Sequence, residues 1–470
     1  AISAELHRFF SEILKQLNKH ESILTNPMTQ QDRQSVVDAL GQAGSSYRNQ
    51  IYNNGFSSMK ADISTADLKA FIRVSLSFID HSIDANKRED GLYHAYNLIT
   101  FEDQGGVSIS YLDEMLEGQV AVLSSGYLSP AQADEVLNQM RKSKLFREDQ
   151  QSYILYPNKD LPRFFEKNNV PSEAVENSTL LKTLLADNNT QVILRDSAGT
   201  YHFNGNFTNA DSLKNAMSEL PDRYVNLVAT EQESLLYMFE DLFDHKSFTG
   251  RSGTFFGFEG LGSIYWHMVS KLALAVQEIL WESIHKQSDS GVIASLKKHY
   301  YQVVDGIGAH KTPKEYGAFP TDPYSHTPAG RGAQQPGMTG QVKEEILTRF
   351  GELGCFVKDG CIMFDTSLLQ NSEFLNSKKV FSYFDISKQK CQIKIYQNQL
   401  AYTFCQVPIV YTFSKLSSSV TLFLNDGTKV KIKGNTIDKE NSKFIFERAG
   451  KIKKIECIIN NIEIDKKGTI

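Results

Sequence analysis

Two carboxylates stand where the chain could use them for proton transfer. Glu259 lies in "RSGTFFGFEGLGSIYWHM", residues 251–268, where four glycines fall within the ten residues 253–262. Glycine lets a backbone come close to a ligand, and this stretch runs directly into Tyr265, Trp266 and His267. A carboxyl group beside aromatic bulk loses solvation, which raises its pKa toward neutrality and suits it to act as a general acid. The plainer uses are local capping or ion pairing for Glu259 and a satisfied core position for His267. Asp322 lies in a second stretch, "YGAFPTDPYSHTPAGRGAQQPGMTGQ", residues 316–341, together with Tyr324, His326 and Arg331. Residues 301–340 hold five of the chain's 12 prolines and seven of its 30 glycines, with Tyr316, Phe319 and Tyr324 among them. Proline restricts φ, glycine reaches conformations closed to other residues, and the aromatics count against disorder. The segment therefore reads as a loop that shapes a site, with a structural clasp between domains as the alternative.

A third stretch, "KREDGLYHAYNLITFEDQGGVSISYLDEMLEGQ", residues 87–119, adds polar and aromatic groups. Asp90-Gly91 marks a turn, after which Tyr93, His94, Tyr96 and Asn97 offer stacking surfaces and hydrogen-bond partners. Asp103 precedes Gly105-Gly106. The pattern over 108–125 predicts a helix that places Asp113 and Glu117 on one face, and Glu114 with Glu117 likewise. Like charges at that spacing repel, so the face is either functional or simply solvated. There is no P-loop, and Gly306-Ile307-Gly308 lacks the third glycine of a dinucleotide fingerprint. HExxH, paired histidines at i, i+4 and a GxSxG elbow are also missing. Five cysteines without a CxxC pair argue against a disulfide framework and a structural zinc site. No metal and no organic cofactor is therefore expected. What remains suits a sugar: aromatic faces stack on pyranose rings, amides and charges hold hydroxyls, and two carboxylates cleave a glycosidic bond unaided.

The elements that must position these groups are mostly helices. At 470 residues the chain should form two or three domains. It is 41% hydrophobic and 22% charged with a net charge of -5, so no whole-molecule field favours nucleic acid or an anionic membrane. The last 115 residues carry 18 basic against 11 acidic side chains, which reads as solvated strand faces. The opening "AISAELHRFFSEILKQL" is amphipathic and unlike a signal peptide, and no run of 18 apolar residues could span a bilayer. Residues 66–84 put Leu68, Phe71, Ile72, Leu76, Ile79 and Ile83 on one face. Ser129 with Pro130 opens a further helix, Thr230 and Glu233 suggest a capping box, and 262–284 is apolar nearly all round. A β-hairpin near 191–205 interrupts the helices. From Phe356 the period becomes two, "KFIFER" included, and Asn425-Asp426-Gly427 marks a hairpin turn. The reading is a helical domain over 1–353 and a C-terminal antiparallel β-sandwich over 354–470.

The stretches "FGFEGLGSIYWHMVSKLALAVQE" and "YGAFPTDPYSHTPAGRGAQQPGMTGQVKEEIL" resemble those of the six-hairpin (α/α)-toroid carbohydrate enzymes, in particular bacterial cellobiose-phosphorylase-like and glycosidase-like proteins. The resemblance extends in general character over residues 85–350. It implies a toroid-like body and cleavage of a glycosidic bond, by water or by inorganic phosphate as co-substrate, on an oligosaccharide or polysaccharide-derived substrate. Glu259 is then the candidate acid and Asp322 the base or water-positioning group. Tyr93, His94, Asp103, Trp266, His267, Tyr324, His326 and Arg331 are candidate substrate contacts. Two alternatives stay open: a non-catalytic glycan-binding protein, and the C-terminal portion of a larger carbohydrate-processing polypeptide, since such enzymes often carry a β domain ahead of their helices. Periplasm and cytoplasm are both open, as is the oligomeric state.

Overall fold

The computed structural model describes residues 1–158, 162–243, 262–307, 311–312, 326–327, 342–414 and 417–459. The helical part comes first and small sheets follow, as the change of period predicts. The chain divides into two compact units, Ala1–Ile154 with Ile264–Ile470, and Leu155–Ser263.

In the larger unit, the helices Ala4–His20 and Gln30–Asn54 pack on each other, with Phe9 stacked on Tyr47 at 4.9 Å. Thr29 and Asp32 form a reciprocal cap on the second. The helix Thr65–Ala85 forms where expected, but its apolar stripe is not the face that packs. Phe71 contacts Phe10 and Val74 is fully buried, whereas Leu68, Ile72, Leu76 and Ile79 are 46–53% exposed.

The helix predicted over 108–125 is half strand. Val107–Tyr111 pairs antiparallel with Asn97–Phe101 across a turn containing Gly105 and Gly106 at φ 87 and 115, and only Leu116–Ser124 is helical. "VSISY" alternates with period two, and that local signal wins over the longer helical one. Asp113 and Glu114 therefore precede the helix and share no helical face with Glu117. The predicted cap at Thr230 is also absent: the helix Val225–Phe243 runs through it, and the Thr230 hydroxyl donates to the Asn226 carbonyl. Ser129 does cap Pro130–Lys142 as expected, and Gln132 completes a reciprocal box with it.

The central helix of this unit is Trp266–His285, buried along most of its length. It packs against Leu116–Ser124, Ser290–Asp305 and Val342–Leu353. Gln277, 3% exposed, is its polar anchor. Its amide donates to the Tyr300 hydroxyl at 3.0 Å and the Thr348 carbonyl at 2.8 Å, and Tyr300 donates on to Glu352 at 2.7 Å. Burial raises the Tyr300 pKa, so the hydroxyl stays protonated as that chain requires. Among the described residues no helix is long and apolar enough to cross a membrane.

After Leu353 the strands Cys355–Lys358, Cys361–Phe364 and Thr436–Ile437 form one sheet, and Lys379–Phe384 pairs with Lys390–Ile395. A five-stranded sheet runs in the order Gln399–Phe404, Val407–Phe413, Ile452–Ile459, Ser419–Leu424, Lys429–Lys433. It is not wholly antiparallel, because Val407–Phe413 pairs parallel with Ile452–Ile459. "KFIFER" is the reason. It begins inside a helix, Lys439–Phe446, that carries the chain across, where a strand was expected. Asp438 caps that helix on the Asn441 N–H, and cap chemistry prevails over β-propensity.

The smaller unit has its own core, including Leu180, Leu181, Leu184, Ile193, Phe203, Leu213, Tyr224 and Phe239. The expected hairpin is present as Ile193–Arg195 with Tyr201–Phe203. Buried Asn168 accepts from the Phe203 N–H and donates to its carbonyl. Glu231 accepts from the Ser178 hydroxyl and from the N–H groups of Thr179 and Leu180, closing the start of Thr179–Ala186. The two ends of the unit meet: the Leu155 N–H donates to the Ser263 carbonyl at 2.8 Å and the Gly262 N–H to the Tyr156 carbonyl at 3.1 Å. A module that leaves and returns at one point is built as an insertion.

Candidate functional site

The start of the central helix gathers the strongest cluster of chemistry-bearing groups in the larger unit. Ile264–Tyr265 pairs antiparallel with His326–Thr327, placing His326 opposite Tyr265 in register. The end of the first glycine-rich stretch and His326–Thr327 are thus joined by backbone. One residue into the helix, His267 Nε2 lies 3.1 Å from Glu344 Oε1. The Tyr265 hydroxyl is 3.4 Å from His267 Nδ1, with the two rings edge-on. With Glu344 ionised, Nε2 carries the proton and donates to it, leaving Nδ1 to accept from Tyr265. Glu344 is 6% exposed, and its Oε2 is buried without a hydrogen-bond partner. It stands in the first turn of Val342–Leu353, where the helix dipole favours a carboxylate. A tyrosine, a histidine and an orienting carboxylate in series can hold or pass a proton at the Tyr265 hydroxyl.

Trp266, expected as a sugar platform, is corrected to a buried residue: at 1% exposure it offers no free face. Lys311 Nζ sits 5.3 Å from its ring centre and donates to the Gln150 carbonyl at 2.5 Å.

Tyr93 and His94 belong to a different cluster. Tyr93 is 4% exposed, and Gln119 brackets its backbone, accepting from the N–H at 2.9 Å and donating to the carbonyl at 2.8 Å. His94 stacks on Tyr111 at 3.9 Å. Both line an open groove of about 410 Å³ with Ile79, Ile83, Asn86 and Gly118. Burial pulls the His94 pKa down and pushes the Tyr93 pKa up, so both favour the neutral form. The neighbouring Asp84 carboxylate pushes the Tyr127 pKa up to about 12. The Tyr96 hydroxyl donates to Glu117 at 2.6 Å. Asp103 is exposed at the hairpin turn.

Glu259, Asp322, Tyr324 and Arg331 lie outside the described residues, as does the side chain of His326. Glu344 and Lys311 are the residues that sequence reasoning missed. A glutamate in a first helical turn looks like dipole compensation, and nothing local in "QVKEEIL" reveals a histidine 77 positions away. Among the described residues no group of three or more His, Cys, Asp or Glu side chains is placed to share a metal ion.

The smaller unit supplies the link to known proteins. Residues 161–246 match GH149 phosphorylase insertion domain 2. The matched residues fall inside Leu155–Ser263, the unit whose ends close on each other, so the similarity coincides with a structural insertion. No curated protein matches the chain. The similarity supports a glycoside-phosphorylase-related, carbohydrate-active family, and it covers this one module.

Proposed function

We propose that the protein is a glycoside phosphorylase acting on an oligosaccharide with inorganic phosphate as co-substrate. The observation that carries this reading is the match of 161–246 to a phosphorylase insertion domain, seated in a module that returns the chain directly to the Tyr265–His267–Glu344 cluster. Glu259 donates its proton to the glycosidic oxygen while a phosphate oxygen attacks the anomeric carbon. The carbon–oxygen bond to the leaving sugar breaks, that sugar departs with the proton as its hydroxyl, and a sugar 1-phosphate remains. Phosphate arrives as an oxyanion and needs no base for its attack, so Asp322 acts by accepting a hydrogen bond from the P–OH of hydrogen phosphate instead of activating water. His326 and Arg331 hold its negative charge. Tyr324 and the groove at Tyr93 and His94 receive sugar rings, and Asp103 is a further candidate substrate contact. His267, fixed by Glu344, positions Tyr265 and the strand pair that carries His326. In this reading the helical body is part of an (α/α) toroid and the C-terminal sheets form a two-layered β-sandwich. Glu259→Gln and Asp322→Asn each abolish turnover and leave the unfolding transition in place; wild-type rates in both variants would refute the assignment.

A further inference from the structure

The C-terminal sheets frame a cavity of about 260 Å³ that no part of the proposed reaction uses. Three elements wall it: the hairpin of Lys379–Phe384 with Lys390–Ile395, the turn joining Gln399–Phe404 to Val407–Phe413, and the segment between the helix Lys439–Phe446 and the strand Ile452–Ile459. Buried Val407, Pro408 and Ile452 give it an apolar floor.

Two of its polar side chains stand where the backbone favours a smaller residue. The helix Lys439–Phe446 closes with the Arg448 N–H donating to the Ile445 carbonyl and the Ala449 N–H to that of Phe444. Arg448 holds φ 50 in this closure, the position that glycine usually fills. The two-residue turn Cys405-Gln406 holds φ 48 and 65, a geometry that favours Asn-Gly. Left-handed backbone at such residues costs stability, and it persists where the side chain has a use. Here the two side chains meet. Arg448 Nε donates to Gln406 Oε1 at 2.9 Å, and Gln406 Nε2 donates to the Asp385 carbonyl at 3.1 Å. Held through Nε, the guanidinium keeps both Nη groups unpaired among the described residues.

Lys453 arrives by another device. Lys454 pairs with Phe423 and Ile452 with Leu424, so Lys453 is the extra residue of a β-bulge, a feature that re-aims side chains. Lys454 donates to Glu456 at 2.6 Å, whereas Lys453 has no partner among the described residues and lines the cavity. Partial desolvation raises the Cys391 pKa, the Asp385 carboxylate adds to the rise and Lys453 opposes it, so both charges act on that thiol. Asp385 is engaged in its own turn. Its Oδ1 accepts from the Ser387 and Gln389 N–H groups at 2.9 Å, and its Oδ2 from Cys391 Sγ at 3.6 Å. The unspent charges of the cavity are therefore both positive.

We propose that this cavity binds a phosphate group, either free inorganic phosphate or the phosphate of a sugar phosphate whose ring lies on the apolar floor. A guanidinium fork and an ammonium from a second direction suit a tetrahedral dianion, where a carboxylate would be satisfied by the fork alone. The volume is just under the usual range for drug-sized ligands, which leaves room for one sugar ring at most. Both cations are exposed, so the affinity is about millimolar.

Cys391, half-buried in the wall, reports on the cavity. The full chain is alkylated with iodoacetamide at constant ionic strength, and the rates at Cys391 and Cys361 are read by peptide mass spectrometry. Inorganic phosphate or glucose 1-phosphate should slow Cys391 saturably and leave Cys361 unchanged, and glucose should do neither. Protection by inorganic phosphate shows that the free anion suffices, and protection by the ester alone identifies a sugar phosphate. Arg448→Gly, which suits the backbone, and Lys453→Gln should each weaken binding by about tenfold or more without lowering the thermal midpoint. Arg331→Gln, at the proposed catalytic phosphate contact, should leave the protection in place, so this site is tested apart from the catalytic reading. No protection by either compound up to roughly 50 mM, equal slowing by glucose or at Cys361, protection that survives in both cavity variants, or its loss in Arg331→Gln would overturn the proposal.

Discussion

His267 and Glu344, 77 residues apart, meet at 3.1 Å. One opens the central helix at the end of the stretch holding Glu259, and the other opens the helix just after the stretch holding Asp322. The two helices that follow these stretches in sequence are therefore tied by a polar bond near their starts, and the Tyr265–His326 strand pair lies beside one of them. Buried polar contacts add less net energy than apolar packing of equal size, but they tolerate few alternative geometries. That suits an element whose task is to set position.

Replacing Glu344 separates geometry from charge. Glu344→Ala leaves the half-buried His267 Nε2 without its partner and should cost about 1–2 kcal/mol in urea unfolding. Glu344→Gln retains an acceptor and should recover most of that loss. Equal stability of the alanine variant and the wild type would mean that the pair does not hold the frame.

Gly354 makes the turn from the helix Val342–Leu353 into the first strand at φ +67, and a Cβ there would collide with the Asp365 backbone carbonyl. Gly354→Ala combines a left-handed penalty of roughly 1–2 kcal/mol with a backbone clash that no rotamer relieves. The expected outcome is a loss of at least about 2 kcal/mol in chemical denaturation, against little change for Asp426→Asn in the exposed hairpin turn, which keeps the acceptor for the Thr428 N–H. A neutral Gly354→Ala would contradict the turn as described.

His299, 6% exposed, has its pKa lowered by burial, with the Asp134 carboxylate 3.6 Å away opposing that shift. The unfolded chain then takes up a proton at this site more readily than the folded one. Stability is full above the unfolded value of about 6.5 and declines as pH falls below it. His94 shifts in the same direction. The thermal midpoint should drop between pH 7 and pH 5, and His299→Gln should flatten that slope. Carboxylates with lowered pKa, such as Asp32 and Asp90, lose their contribution at lower pH and do not confuse the window. Parallel slopes in the two proteins would exclude His299 as the cause.

The segment 155–263 carries its own core and joins its own ends. Expressed alone, it should give a cooperative thermal transition and dispersed amide resonances. A molten, non-cooperative product would show that the insertion depends on the rest of the chain.

The elements with strong local signals were legible in sequence: the buried helix near 262–284, the Ser129–Pro130 start, the 191–205 hairpin and the Gly427 turn all have structural counterparts. Two signals competed at 108–125 and at "KFIFER", and in each a short-range preference decided the outcome. Alternation made a strand of Val107–Tyr111, and the Asp438 cap made a helix of Lys439–Phe446. The site was half legible. His267 stands out beside a glycine-rich stretch, but its partner Glu344 is defined by tertiary contact alone. Trp266 misled because aromatic rings near a loop serve packing as readily as stacking, and only burial separates the two.

Phosphorus NMR of the protein incubated with a panel of glucan and other oligosaccharides, with and without inorganic phosphate, tests the proposed activity most directly. A sugar 1-phosphate should accumulate only when both phosphate and a substrate are present, and Glu259→Gln should abolish it. Reducing sugar released at the same rate without phosphate, or intact substrate bound and never cleaved, would contradict the account.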